Sequence, residues 1–182
     1  MQEIVRRVRG IVLAPQAEWP AVAREAGSGR CLFYVAILAL IPPLARFVGG
    51  TQIGGFVPFV QGMTGAVLSY ALTFAIVYAV ALLADMLAPA FGGERDFPQS
   101  LRLTVYSFTP VWLAGIFLLV PGASFLTLLG LYGFHLLWTG APVVKRVERG
   151  RALPYALAVT GWALALEIVV TMTTVASFGT PR

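Results

Sequence analysis

The sequence is short of the residues that chemistry draws on. It holds one cysteine, Cys31, and one histidine, His135. A single thiol closes no disulfide within the chain, and one cysteine with one histidine cannot assemble a Cys/His zinc site. Nothing in the spacing of the remaining residues points to a cofactor. Charge is scarce too: Asp, Glu, Lys and Arg make up 12% of the chain, against ~25% in an ordinary soluble domain. A soluble domain of 182 residues has much surface for its volume and needs those charges to cover it.

What is present suits lipid. Apolar residues account for 58% of the sequence and the mean hydropathy is +0.82. The net charge of +5 comes from thirteen basic residues against eight acidic ones. The basic residues stand beside apolar runs, as they do in membrane proteins, so no nucleic-acid partner is expected. The fold class that follows is all-α: a polytopic bundle of about five transmembrane helices with a short amphipathic leader.

Residues 1–29 form that leader, basic and cytoplasmic. Ile4, Val5, Val8, Ile11 and Val12 recur at helical spacing, with Arg6, Arg7 and Arg9 largely off the stripe. The favoured expectation is an interfacial helix on anionic lipid headgroups, with Arg6, Arg7, Arg9 and Trp19 at the surface. The alternative is a leader that packs on the bundle's own loops. No short apolar region with a cleavage site precedes the first hydrophobic run, which is therefore expected to stay in the mature protein.

Residues 30–178 contain the spans. The first is expected over about 31–48, kinked by Pro42 and Pro43, with a glycine-rich turn from Gly49 to Gly55. The apolar stretch 56–91 exceeds a ~30 Å hydrocarbon core. Either it forms one long tilted helix, or its start near Gly62 and Gly65 lies at the interface; the second is preferred. Ala71, Ala75 and Ala79 make a small-residue stripe. Further spans are expected over about 101–120, 123–139 and 154–178. Loops at Gly92–Gln99 and Gly140–Leu153 separate them, and an external tail occupies 179–182.

Orientation follows from the basic residues. Arg6, Arg7, Arg9, Arg24, Arg30, Arg95, Arg102, Lys145, Arg146, Arg149 and Arg151 fall on the leader's side, and only Arg46 and Arg182 on the other. That bias predicts a cytoplasmic N-terminus and a C-terminus outside.

A charge at bilayer centre costs about 2.5–3.5 kcal/mol on insertion scales, so each one needs a partner or a purpose. Glu167 and Arg46 lie at matching depths when counted along their helices and are expected to pair. Asp85 and Arg102, on either side of a short loop, form a second expected pair. His135, among Tyr132, Phe134 and Trp138, is expected to bond across helices rather than bind metal. Tyr106-Ser107-Phe108-Thr109-Pro110 places hydroxyls where they can satisfy the carbonyl that Pro110 frees.

The order of several short motifs is itself informative. Ala14-Pro15-Gln16-Ala17-Glu18-Trp19 comes first, then a span ending in glycines and Ala90-Phe91-Gly92-Gly93. Tyr106-Ser107-Phe108-Thr109-Pro110-Val111-Trp112 follows, then Leu131-Tyr132-Gly133-Phe134-His135-Leu136-Leu137-Trp138-Thr139-Gly140 and a basic loop. Over nearly its whole length the chain resembles bacterial members of the Yip family of Ypt/Rab-interacting membrane proteins. The resemblance implies a five-span membrane domain and carries over no catalytic residue. Eukaryotic members bind Rab-type GTPases and carry long cytoplasmic N-terminal regions. With ~29 residues there, GTPase binding is not expected of this chain.

Two functions are therefore expected in order. The first is a non-enzymatic inner-membrane protein that organises or scaffolds the bilayer, with lipid, other membrane proteins or itself as partners. The second is a small proton- or ion-coupled transporter or channel using Glu167.

Overall fold

The computed structural model describes residues 2–25, 27, 29–55, 57–120 and 122–178, with side-chain surroundings up to residue 170 and at Met172. The expected tail 179–182, Arg182 included, lies outside the described residues. Every described element is helical: α1 (Gln2–Leu13), α2 (Pro15–Ala23), α3 (Gly29–Leu38), α4 (Ile41–Phe47), α5 (Phe59–Leu87), α6 (Phe97–Ser107), α7 (Thr109–Ala114), α8 (Tyr132–Val144) and α9 (Ala152–Phe178), joined in places by short 3-10 or π turns.

Five helical runs are long and apolar enough to cross a membrane: Gly29–Ile53, Phe59–Phe91, Phe97–Leu119, Ser124–Val144 and Arg149–Val170. Their boundaries correct several sequence expectations. Gly49 and Gly50 do not start a turn but continue span one as a π-helical segment to Ile53. A Cβ on Gly49 would collide with the backbone carbonyls of Leu118 and Leu119, so glycine lets two spans meet there. The start of the second run is no separate interfacial segment. Residues 59–65 are the first turns of one 29-residue helix, about 43 Å long at ~1.5 Å per residue. Gly140 and Pro142, expected in the loop after span four, lie within α8. The expected breaks at proline do occur: span one is interrupted between α3 and α4, just before Pro42, and span three at Phe108, just before Pro110.

Span three is central: α6 packs on α2, α3, α5, α7 and α8. The core is gathered at one end of the bundle, the near end, which carries α1, α2 and the loops around residues 92–96 and 145–148. Small residues make the close approach there, with Ala81, Ala84 and Ala88 of the second span against Ala152 and Ala156 of the fifth, all at 1% exposure or less. Toward the far end, spans one, three and four stay in contact while spans two and five lose their burial. No described residue is buried between 59 and 75 of α5 or between 160 and 170 of α9. Ala71 and Ala75 face outward, so the alanine stripe is a surface feature there.

The leader belongs to this core. α1 and α2 form a helical hairpin packed on α8, with α1 reaching α7 and α2 reaching α6. Ile11, Trp19 and Val22 are fully buried. The expected interfacial helix is thus corrected in part: α1 packs on α2 and span three and buries Ile11, while Val5 of the same stripe stays exposed.

Candidate functional site

Two polar clusters occupy the near end. The first is built around Arg7. On α1, Ile4, Arg7 and Ile11 fall at i, i+3 and i+7, one helical face, so the face that buries Ile11 carries Arg7 inward with it. Its guanidinium bridges Glu18 and Glu25 and lies over the Tyr106 ring, 5.6 Å from its centroid. The Tyr106 hydroxyl donates to Glu25 at 3.0 Å. The Tyr106 ring meets Tyr34 edge-on at 4.9 Å, and Tyr34 and Thr109 share a hydroxyl hydrogen bond of 2.8 Å. Thr109 therefore joins spans one and three rather than satisfying its own helix at Pro110. Arg102, 6% exposed, donates to the Gly27 carbonyl at 3.2 Å. Two guanidiniums and two carboxylates leave the cluster neutral, the condition under which charges tolerate burial.

Trp19 is the second anchor of the hairpin. Its ring packs where a Cβ on Gly140 would stand, 2.6 Å away, and its indole N–H donates to Thr139 at 3.3 Å. Tyr132 donates to the Val12 carbonyl at 3.0 Å. Expected at the headgroups, Trp19 and Arg7 are instead structural members of the bundle. Of the four residues expected to contact lipid, Arg6 and Arg9 remain exposed.

The second cluster ties the loops together. Lys145, whose side chain is fully buried, donates to Asp85 at 2.7 Å and to the Asp96 carbonyl at 3.0 Å. Asp85 also accepts from the Asp96 amide at 2.8 Å and from the Ser100 hydroxyl at 3.0 Å. The cation for Asp85 is thus Lys145, not the expected Arg102. Two residues along α6 turn the helix by about 200°. With Ser100 facing Asp85, Arg102 must face the leader. Outside the cluster, Arg146 holds Glu94 through two bonds of 2.9 and 3.1 Å, and the Glu94 amide donates to the Lys145 carbonyl at 3.0 Å.

The expected Arg46–Glu167 pair does not form within the chain. Both side chains are exposed, and α4 and α9 each pack on α5, which stands between them. Glu167 lies on the exposed side of α9. His135 stacks on Tyr132 at 5.4 Å and meets Trp138 edge-on at 6.0 Å. Among the described residues no group of three or more His, Cys, Asp or Glu could hold a metal ion.

Glu18, Glu25, Tyr106 and Lys145 were given no pairing role from the sequence. One signal was available: Glu18 and Glu25 both follow a helix carrying arginines. Nothing in the sequence tells that Lys145 turns inward while Arg146 turns out.

An open groove of about 670 Å³ runs beside α1, lined by Gln2, Val5, Arg6, Arg9, Gly10 and Glu18. Arg6 and Arg9 stand one turn apart on it and take no part in the ion pairs of the described residues.

The Yip1 domain matches this chain over residues 9–172. The chain belongs to the Yip1 family. The Yip1 match includes most of the hairpin, consistent with its place in the core. The chain is also 25% identical over 183 aligned residues to the inner membrane protein YohC of Escherichia coli K12, covering 92% of this chain and 94% of that one. YohC of the O6:H1 strain CFT073 matches to the same extent. No solved structure matches. With five candidate spans and inner-membrane relatives, this Yip1 protein is a multi-pass protein of the inner membrane.

Proposed function

We propose that this Yip1 protein is a non-enzymatic membrane-organising scaffold that holds anionic lipid headgroups at its cytoplasmic face. The observation that carries this reading is the division of labour among the leader's charges. Arg7, Glu18 and Glu25 are consumed in closing the bundle, while Arg6 and Arg9 stay free along a groove that also offers the apolar side chain of Val5. Two guanidiniums with an apolar neighbour suit a lipid phosphate with its acyl chain alongside. The distribution of basic residues supports placing this face in the cytoplasm and the C-terminus outside. Lys145, Asp85, Asp96 and Ser100 at the near end bond one another, which suits a holding role better than a chemical one.

Each arginine near an anionic surface contributes about 1 kcal/mol. Changing both Arg6 and Arg9 to Ala should therefore weaken binding of phosphatidylglycerol by about 30-fold, read as lipid retained by the purified protein, while phosphatidylcholine retention stays level. Equal retention by the variant would refute the lipid site. An ion-gradient-driven flux in proteoliposomes that disappears with Glu167→Gln would replace the scaffold reading with transport.

A further inference from the structure

Arg46 and Glu167 are opposite charges on the outer surface of the bundle. Both lie inside candidate spans and both are exposed. Neither takes part in the ion pairs of the described residues. Counted from the near ends of their spans, Gly29 and Arg149, Arg46 lies about 25 Å along and Glu167 about 27 Å along at ~1.5 Å per residue. The two therefore stand at the same level, on helices that α5 keeps apart.

We propose that these charges form an interface between two copies of this chain, the Arg46 guanidinium of one copy bonding the Glu167 carboxylate of the next. Copies inserted in the same direction share one depth scale. A pair whose levels match within a chain therefore matches between chains as well. Within one chain the pair is blocked by an intervening helix; between neighbours, two exposed faces are free to meet. Charge complementarity also selects the occupant. Lipid tails offer neither group a partner, and a polar group in hydrocarbon is driven to find one. The proposal goes beyond lipid holding by the leader, since Arg6 and Arg9 take no part in it.

Two tests bear on it. In a Cys31→Ala background, copies carrying Phe47→Cys and differently tagged copies carrying Leu164→Cys, positions beside the two charges that leave both charges in place, are co-expressed, and native membranes are treated with a short thiol cross-linker. A product containing both tags is expected, and its absence would overturn the interface. Separately, two tagged forms of the otherwise unaltered chain are co-purified in mild detergent. Arg46→Glu or Glu167→Arg alone should cut co-purification by about 3- to 20-fold, and the two together should restore it. Unchanged association in the single variants, or no recovery in the double one, rejects the pair. Where a reversed charge prevents insertion, Arg46→Gln or Glu167→Gln alone should likewise cut co-purification, and unchanged association in both rejects the pair. Preserved phosphatidylglycerol retention in all of these keeps the outcome separate from the lipid site.

Discussion

At the scale of single residues, the near end shows how a membrane protein keeps charge inside. Lys145 is buried and meets one carboxylate and one backbone carbonyl. Removing one partner of a buried pair leaves the other charged and alone, at a cost of about 3–5 kcal/mol. Lys145→Ala should therefore lower the melting temperature of the detergent-solubilised protein sharply. Asp85→Asn with Lys145→Met should recover part of the loss, because no unpaired charge then remains. If Lys145→Ala melted like the parent, the pair would not be holding the loops. The sequence showed Lys145 only as one of several basic residues after span four. Its direction was set by the turn following α8, where Arg146 adopts a positive φ of 55° and sends neighbouring side chains opposite ways.

Elements tell a similar story about the leader. Its helical periodicity was legible, but periodicity gives only the direction of an apolar stripe, not what covers it. Here the cover of α1 is α2 and span three, and α2 in turn rests on α8. The contact depends on Gly140, since a methyl there would come within 2.6 Å of the Trp19 ring and 2.7 Å of Leu103. Overpacking of this kind costs about 1–3 kcal/mol. Gly140→Ala should loosen the hairpin and speed tryptic cleavage at the exposed Arg24 in inside-out vesicles. An unchanged cleavage rate would mean that the hairpin does not rely on this contact. The same glycine had signalled a loop from sequence. In the bundle it is a flat place on a helix, kept bare for an indole ring.

At the scale of the whole molecule, spans two and five are buried only toward the near end, while spans one, three and four also meet at the far end through Gly49, Gly115 and Gly130. With no polar solvent to drive helices together, tight packing follows small residues and interhelical hydrogen bonds. Reporter fusions after each span should read alternately inside and outside, starting inside for the leader and ending outside; a C-terminal reporter active in the cytosol would reverse the proposed orientation. The sequence alone determined the number of spans, the all-helical class and the family resemblance, because hydrocarbon forces each crossing to satisfy its backbone locally and so writes a long apolar run into the chain. It did not determine which charges pair. Asp85 went to Lys145, Arg7 to two glutamates, and Arg46 and Glu167 to neither, since partners depend on which helix stands next to which and on how each is turned. Local sequence does not carry those angles, and they are fixed only when the helices pack.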